Sequence, residues 1–283
     1  MSGEPPRPVH WRTIRVRAED PEARQAMIAA LIAVGAGGVE ERGATLITHV
    51  PDDVDVGPVH AAATVRPGVR IELEELGPVD WSARWPTQVG LQSLGAITIA
   101  PPWLAEQVPD GSHAVIIDPG MAFGTGEHET TRGVVRLMQR VVRPGDAVAD
   151  LGAGSAVLAI AAAKLGASRV FAIERDEEAI ANAEENVRRN HVTDRVVVLH
   201  GDAEALLPVV SPVRVLLANI ISSVIVQLAP AMRRAIPDDG AVVLSGVLRS
   251  ERHALLQTLE GTGWRCTAED AEGDWWSGIV EPA

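Results

Sequence analysis

The run Ala147–Ala167, AVADLGAGSAVLAIAAAKLGA, decides the fold. Its opening AVADL is a short apolar stretch and reads as a buried strand. Gly152 and Gly154 follow, and SAVLAIAAAKLGA then reads as a helix that stops at Gly166. Strand, glycine turn and helix in that order begin a β-α-β unit. Working outward, RVFAIE (169–174) is a second strand, and DEEAIANAEENVRRN (176–190) is an amphipathic helix with Ile180, Ala183 and Val187 on one face. RVVVLHGDA (195–203), VRVLLAN (213–219) and AVVLSGV (241–247) are three further strands. Apolar strands alternating with helices predict a doubly wound, parallel, Rossmann-like α/β sheet buried on both faces. This larger domain is expected over residues 112–283.

Ahead of it, WRTIRVRA (11–18) alternates as a strand does. Asp20-Pro21-Glu22 offers a helix cap, a proline at the first helical position and an early acid. The helix that follows carries Met27, Ile28, Leu31, Ile32 and Val34. GVEERGATLITHV reads as a hairpin turning at Arg42-Gly43. A helix near Val56–Val65 then precedes RIELEEL (70–76). The order β-α-β-β-α-β predicts a ferredoxin-like α+β domain over residues 1–76. Residues 77–111, with Trp81, Trp85 and Trp103, show little periodicity and read as a Trp/Pro-rich connector.

The 283 residues suit two domains, and 46% are hydrophobic, enough for a sizeable core. No apolar run approaches the ~18 residues of a spanning helix, so no membrane association is expected. Cys266 is the lone cysteine, which argues against a cysteine-based metal site and suits a reducing cytoplasm. A net charge of −13 without a basic cluster argues against direct nucleic-acid binding and favours a basic partner. Lys164 is the only lysine among 25 basic side chains, a bias of composition rather than of function.

Ligands of a doubly wound sheet sit beyond the carboxyl ends of its strands. There the glycines at 152 and 154 let the backbone pass beneath a ligand without a Cβ clash. A dinucleotide fingerprint needs a third glycine in G-x-G-x-x-G, and here the sequence continues Val-Leu. Glu174, at the end of the second strand, is placed to accept hydrogen bonds from two ribose hydroxyls. An adenosine recognised without pyrophosphate points to S-adenosyl-L-methionine. Asp202, after the third strand, is expected to face the adenine amino group. Asn219, at the end of the fourth, is expected to accept a hydrogen bond from an amine and aim its lone pair. A second glycine-rich run, DPGMAFGTGEHETT (118–131), is expected to fold over the cofactor through Phe123, Gly124 and Thr125. Thr130 and Thr131 read as caps of the next helix, Thr131 also as a contact of the methionine moiety. His128 reads as a structural group and a weaker candidate for a base.

Taken together, AFGTGEHETT, DLGAGSAVLAIAAAKLGA, LLANI and LSGVL resemble the bacterial PrmA-type methyltransferases. The resemblance spans the chain and implies a class I methyltransferase domain preceded by a substrate-recognition domain. It implies S-adenosyl-L-methionine as methyl donor, and lysine ε-amines or the N-terminal α-amine of a basic ribosomal protein, protein eleven of the large subunit, as acceptor. Carried over by position, its cofactor contacts fall on Thr131, Gly152, Glu174 and Asn219. Two positions depart from its pattern: Ala156 stands where the family has glycine, and Glu174 where it has aspartate. A methyltransferase for another protein or small-molecule amine, and a non-catalytic cofactor-binding protein, are the alternatives.

Overall fold

The computed structural model describes residues 11–36, 39–52, 54–76, 90–118 and 126–283. The chain divides into two compact units, Met1–Ala83 and Arg84–Ala283. In the first, β1 (Trp11–Arg17), α1 (Pro21–Ala33), β2 (Glu40–Arg42), β3 (Thr45–Pro51), α2 (Gly57–Thr64) and β4 (Arg70–Leu76) follow in order. The sheet runs β2-β3-β1-β4 with antiparallel pairings throughout. This is the strand order of a split β-α-β fold, as the sequence predicts. Asp20 caps α1 by accepting the Ala23 N–H at 2.7 Å. Ala23, Met27 and Leu31, four residues apart, form the buried stripe of α1 against Ile14, Val16, Leu46 and Val50. Ile32 falls off that stripe and is 58% exposed. The hairpin turn lies at Gly43–Ala44, with Gly43 at φ +62°.

The second unit begins with a small sheet of β5 (Gln92–Leu94), β6 (Ile97–Ala100) and β7 (His113–Ile116), with a 3₁₀ turn at Pro102–Gln107. Part of the expected connector, residues 92–94 and 97–100, is therefore paired strand, and its Trp103 is 38% exposed on the 3₁₀ turn. Trp81 and Trp85 lie outside the described residues. Then come α3 (Glu129–Met138), β8 (Ala147–Leu151), α4 (Val157–Lys164), β9 (Arg169–Glu174), α5 (Glu177–Arg189) and β10 (Val196–His200). The chain continues as α6 (Ala203–Val210), β11 (Val215–Asn219), α7 (Ser222–Ala235), β12 (Ala241–Leu248), α8 (Arg252–Glu260), β13 (Trp264–Glu272) and β14 (Trp275–Pro282).

Seven of these strands form one sheet in the order β10-β9-β8-β11-β12-β14-β13. Pairing is parallel from β10 to β12. The far edge is an antiparallel hairpin, β13–β14, which the sequence reading did not resolve. Apolar side chains of α3, α4 and α5 cover one face, among them Val134, Ile160 and Val187. Those of α6, α7 and α8 cover the other, among them Leu207, Met232 and Leu255. Buried alanines at 159 and 161–163 let α4 lie close on the sheet.

From β8 the chain turns toward β9, while β11 pairs on the opposite side of β8. The switch point thus lies between β8 and β11, where a doubly wound sheet opens a crevice at its carboxyl ends. The amino ends of the same two strands are stapled. Asp146 precedes β8, Arg214 precedes β11, and the guanidinium grips both carboxylate oxygens, at 2.6 and 2.5 Å. Burial, the largest single effect, would raise the pKa of Asp146; the hydrogen bonds from Arg214 and the Arg143 N–H, with the charges of both arginines, together outweigh it and hold the carboxyl below its ordinary value.

Candidate cofactor and methyl-transfer site

The first wall of the crevice is the turn after β8. The N–H groups of Gly152 and Ala153 both donate to the carbonyl of Ile173, at 2.9 and 3.0 Å, so the turn hooks over the end of β9. Gly152 sits at φ +73°, and a Cβ there would come within 2.8 Å of Ile220 Cγ2. Conformation and space both require glycine. Gly154 sits at φ +52°, and its N–H donates to Glu174 Oε2 at 2.8 Å. Glu174 Oε1 accepts the N–H groups of Arg175 and Asp176 at 2.8 and 2.9 Å. Three backbone donors therefore fix the carboxylate beside the glycine turn, and Oε2 keeps a lone pair for a further donor.

Glu174 and Gly152 line one cavity of about 420 Å³, together with Gly201, Asp202, Ile220 and Ile221. Val224 and Leu228 of α7 complete an apolar wall. The size and mix suit a ligand with an apolar body and a few directed polar groups. Asp202 caps α6 through Oδ1, which accepts the Glu204 N–H at 2.8 Å, while the residue also lines the cavity. Its position serves both a turn acid and a ligand contact.

Thr131, Gly154 and Asn219 are not among the lining residues. Gly154 joins the cavity through Glu174. Asn219 ends β11 directly before Ile220, and its Nδ2 donates to Thr131 Oγ1 at 3.4 Å. Thr131 is fully buried in the first turn of α3. Two sequence-separated candidates thus meet next to the cavity wall. The carbonyl of Ile220 is confined from behind: a Cβ on Gly246 would come within 2.5 Å of it.

Thr130 and Thr131 lie within α3 and do not cap it. The cap is His128, whose Nδ1 accepts the Thr130 N–H at 3.3 Å and lies 2.8 Å from Thr130 Oγ1. The ring also meets Trp275 edge-on, with centroids 5.1 Å apart. An imidazole nitrogen can accept like an Asp or Ser oxygen, which is why cap preferences read from sequence miss it. α3 itself is clamped to β13. Arg132 reaches Glu272 at 2.6 Å, and Arg136 reaches Asp270 at 2.5 Å and Glu272 at 2.8 Å. Phe123, Gly124 and Thr125 lie outside the described residues.

Asp150, which the sequence reading passed over, stands behind the glycine turn without lining the cavity. It is fully buried in β8, its Oδ2 accepts the Ala159 N–H at 3.0 Å, and its Oδ1 has no partner. It supplies the start of α4 with the acceptor that Ala156 lacks. Burial, with the charge of Glu174 adding to it, pushes its pKa up to about 7 despite the Ala159 bond. The signal was present in AVADL, an acid inside an otherwise apolar strand.

Comparison with known proteins shows the family. The family model described as ribosomal protein L11 methyltransferase (PrmA) matches residues 45–281. A ribosomal protein L11 methyltransferase of Thermus thermophilus is 35% identical over 90% of this chain and 93% of its own. That of Desulforamulus reducens is 36% identical over 72% of this chain, and the match spans 66% of that protein, just under two thirds. A crystal structure of ribosomal protein L11 methylase from Lactobacillus delbrueckii subsp. bulgaricus superposes with a TM-score of 0.62 at 29% identity, over 69% of this chain and 99% of that one. A family match of this extent, on a chain whose glycine turn, strand-end acid and strand-end asparagine stand at one switch point, places it plainly: the chain belongs to the ribosomal protein L11 methyltransferase (PrmA) family.

Proposed function

We propose that the chain transfers methyl groups from S-adenosyl-L-methionine to lysine ε-amines, the N-terminal α-amine, or both, of a large-subunit ribosomal protein. The observation that carries the reading is the shared cavity of Gly152 and Glu174 at the switch point, with Thr131 and Asn219 meeting beside it. The residues fit an adenosyl sulfonium. Glu174 Oε2 has room for a ribose hydroxyl, the apolar wall of Ile220, Ile221 and Val224 suits an adenine ring, and Asp202 suits its amino group. The bound cofactor supplies an activated methyl group, which leaves alignment as the protein's main task.

Asn219 serves that task. Its Nδ2 is engaged by Thr131, which turns the side-chain carbonyl toward other donors, and a substrate amine is such a donor. An amine held that way keeps its lone pair free. A lysine amine, with an ordinary pKa of about 10.4, must lose a proton first, and transfer to a water-poor crevice favours that loss. His128, engaged as a helix cap, is assigned no proton-transfer role. The N-terminal domain expected over residues 1–76 serves recognition, and the net charge of −13 suits a lysine-rich protein target in the cytoplasm.

Mass spectrometry of purified large-subunit proteins, incubated with the enzyme and labelled S-adenosyl-L-methionine, tests the reading. Label on the amines of one ribosomal protein is expected. Label on ribosomal RNA, or on none of the proteins, contradicts it.

A further inference from the structure

Asn182 and Asn186 of α5 and its C-cap, Asn190, follow one another at four-residue spacing, on one side of the helix. Asn186 and Asn190 are 0% and 2% exposed. Such burial demands that every polar atom find a partner. Asn190 exchanges two hydrogen bonds with the backbone of Ile116: Oδ1 accepts its N–H at 2.8 Å, and Nδ2 donates to its carbonyl at 2.6 Å. Asn186 does something different. Its Oδ1 accepts the Asp118 N–H at 3.0 Å, and its Nδ2 donates to the Ser155 carbonyl at 3.1 Å and to Asn182 Oδ1 at 3.2 Å. The partners fix the orientation of the amide, because a backbone N–H can only donate and a carbonyl can only accept.

One carboxamide therefore joins the exit of β7 to the glycine turn. Ser155 lies between Gly154, whose N–H holds Glu174, and Ala156, whose φ of +65° is unfavourable for a residue with a Cβ. A backbone in that conformation persists only when its surroundings determine it. Asn186 is the side chain that grips it from the helix side. Aspartate would lose the donor and face two acceptors with a buried charge, and an apolar residue would leave the Ser155 carbonyl and the Asp118 N–H without their partner.

We infer that Asn186 is a positioning residue for the cofactor: it sets the peptide planes of Gly154, Ser155 and Ala156, and through Gly154 the carboxylate of Glu174, while Asn190 anchors β7 alone. The inference rests on the cofactor reading above. It deepens that reading by assigning the geometry of the turn to a side chain outside the cavity.

The test compares Asn186→Ala with Asn190→Ala in the full-length chain. Both remove a buried carboxamide and its bonds to β7 or the residues just after it, but only the first removes the hydrogen bond to the Ser155 carbonyl. For Asn186→Ala, the KM for S-adenosyl-L-methionine should rise about tenfold with kcat nearly kept, and amide hydrogen exchange at Gly154 should speed up in the protein without cofactor. For Asn190→Ala, with a comparable loss of thermal stability, KM should stay within about twofold and Gly154 exchange should not change. Equal effects of the two variants on KM, or an unchanged Gly154 amide in Asn186→Ala, would overturn the inference. Should Asn186→Ala fail to fold, Asn186→Ser, whose shorter hydroxyl does not reach the Ser155 carbonyl, should also raise KM; no rise overturns the inference too. The exchange measurement needs no cofactor, so failure of the cofactor reading is seen separately, as wild-type protein that does not bind S-adenosyl-L-methionine.

Discussion

Ala156 adopts a left-handed backbone, φ 65° and ψ 19°, at the start of α4. The conformation costs a residue with a Cβ about 1–2 kcal/mol. Against that, the methyl is fully buried, which stabilises by roughly 0.8 kcal/mol, and glycine would add about 0.5–1 kcal/mol of unfolded-chain entropy. The opposing effects nearly cancel, so Ala156→Gly should change stability by less than about 1 kcal/mol and leave cofactor affinity unaltered. Calorimetric titration checks this, and a large gain in affinity would show instead that the methyl crowds the ligand. Asp150 gives a second prediction. Its carboxyl rises from an ordinary 3.8 to about 7 on folding, so the native state binds the proton more tightly. Its contribution therefore disfavours folding increasingly as pH climbs from about 4 to 7, by at most roughly 1.4 kcal/mol per pH unit. Asp150→Asn keeps an acceptor for Ala159 without the charge. Its melting temperature should exceed that of the wild type by more at pH 8 than at pH 5. A difference independent of pH would remove the buried charge from the account.

Among the elements, the junction of β11 with β12 is the least forgiving. Gly246 sits at φ +80°, and a Cβ there would meet the Ile220 carbonyl oxygen at 2.5 Å, a backbone atom with no rotamer to escape into. Gly43 has a similar φ of +62°, but nothing lies within 4 Å of its would-be Cβ. Gly43→Ala should cost about 1 kcal/mol, the conformational part alone. Gly246→Ala should cost more than about 2 kcal/mol and also displace the cavity wall. Denaturant midpoints of the two variants check the ranking, and equal losses would show that Ile220 moves freely. The elements also show what sequence makes legible. β8, β11 and β12 announce themselves because central strands buried on both faces are runs rich in Val, Leu and Ala. The β13–β14 hairpin hides because its edge strand, with TAEDAE, has charged and small residues and no apolar alternation. β5 and β6 hide because three- and four-residue strands are too short to display a period. Gly152, Glu174 and Asn219 were legible as strand-end residues. Asp150 and Asn186 were not, because they act on backbone groups that only the fold brings near.

At the scale of the whole molecule, the two units carry separate cores, so each is expected to keep its own chemistry. Deleting residues 1–76 should preserve cofactor affinity and abolish transfer to the ribosomal protein. Retained transfer would remove the recognition role from the first unit. The proposed cofactor site is built from strand tips of the second unit that converge at one switch point. The most direct test is calorimetric titration of the full-length chain and of Glu174→Ala with S-adenosyl-L-methionine. Saturable one-to-one binding by the wild type, weakened about tenfold or more when the carboxylate is removed, is the expected result. Wild-type protein that gives no binding heat, or a Glu174→Ala variant that binds as tightly, would contradict the assignment of this cavity to the cofactor.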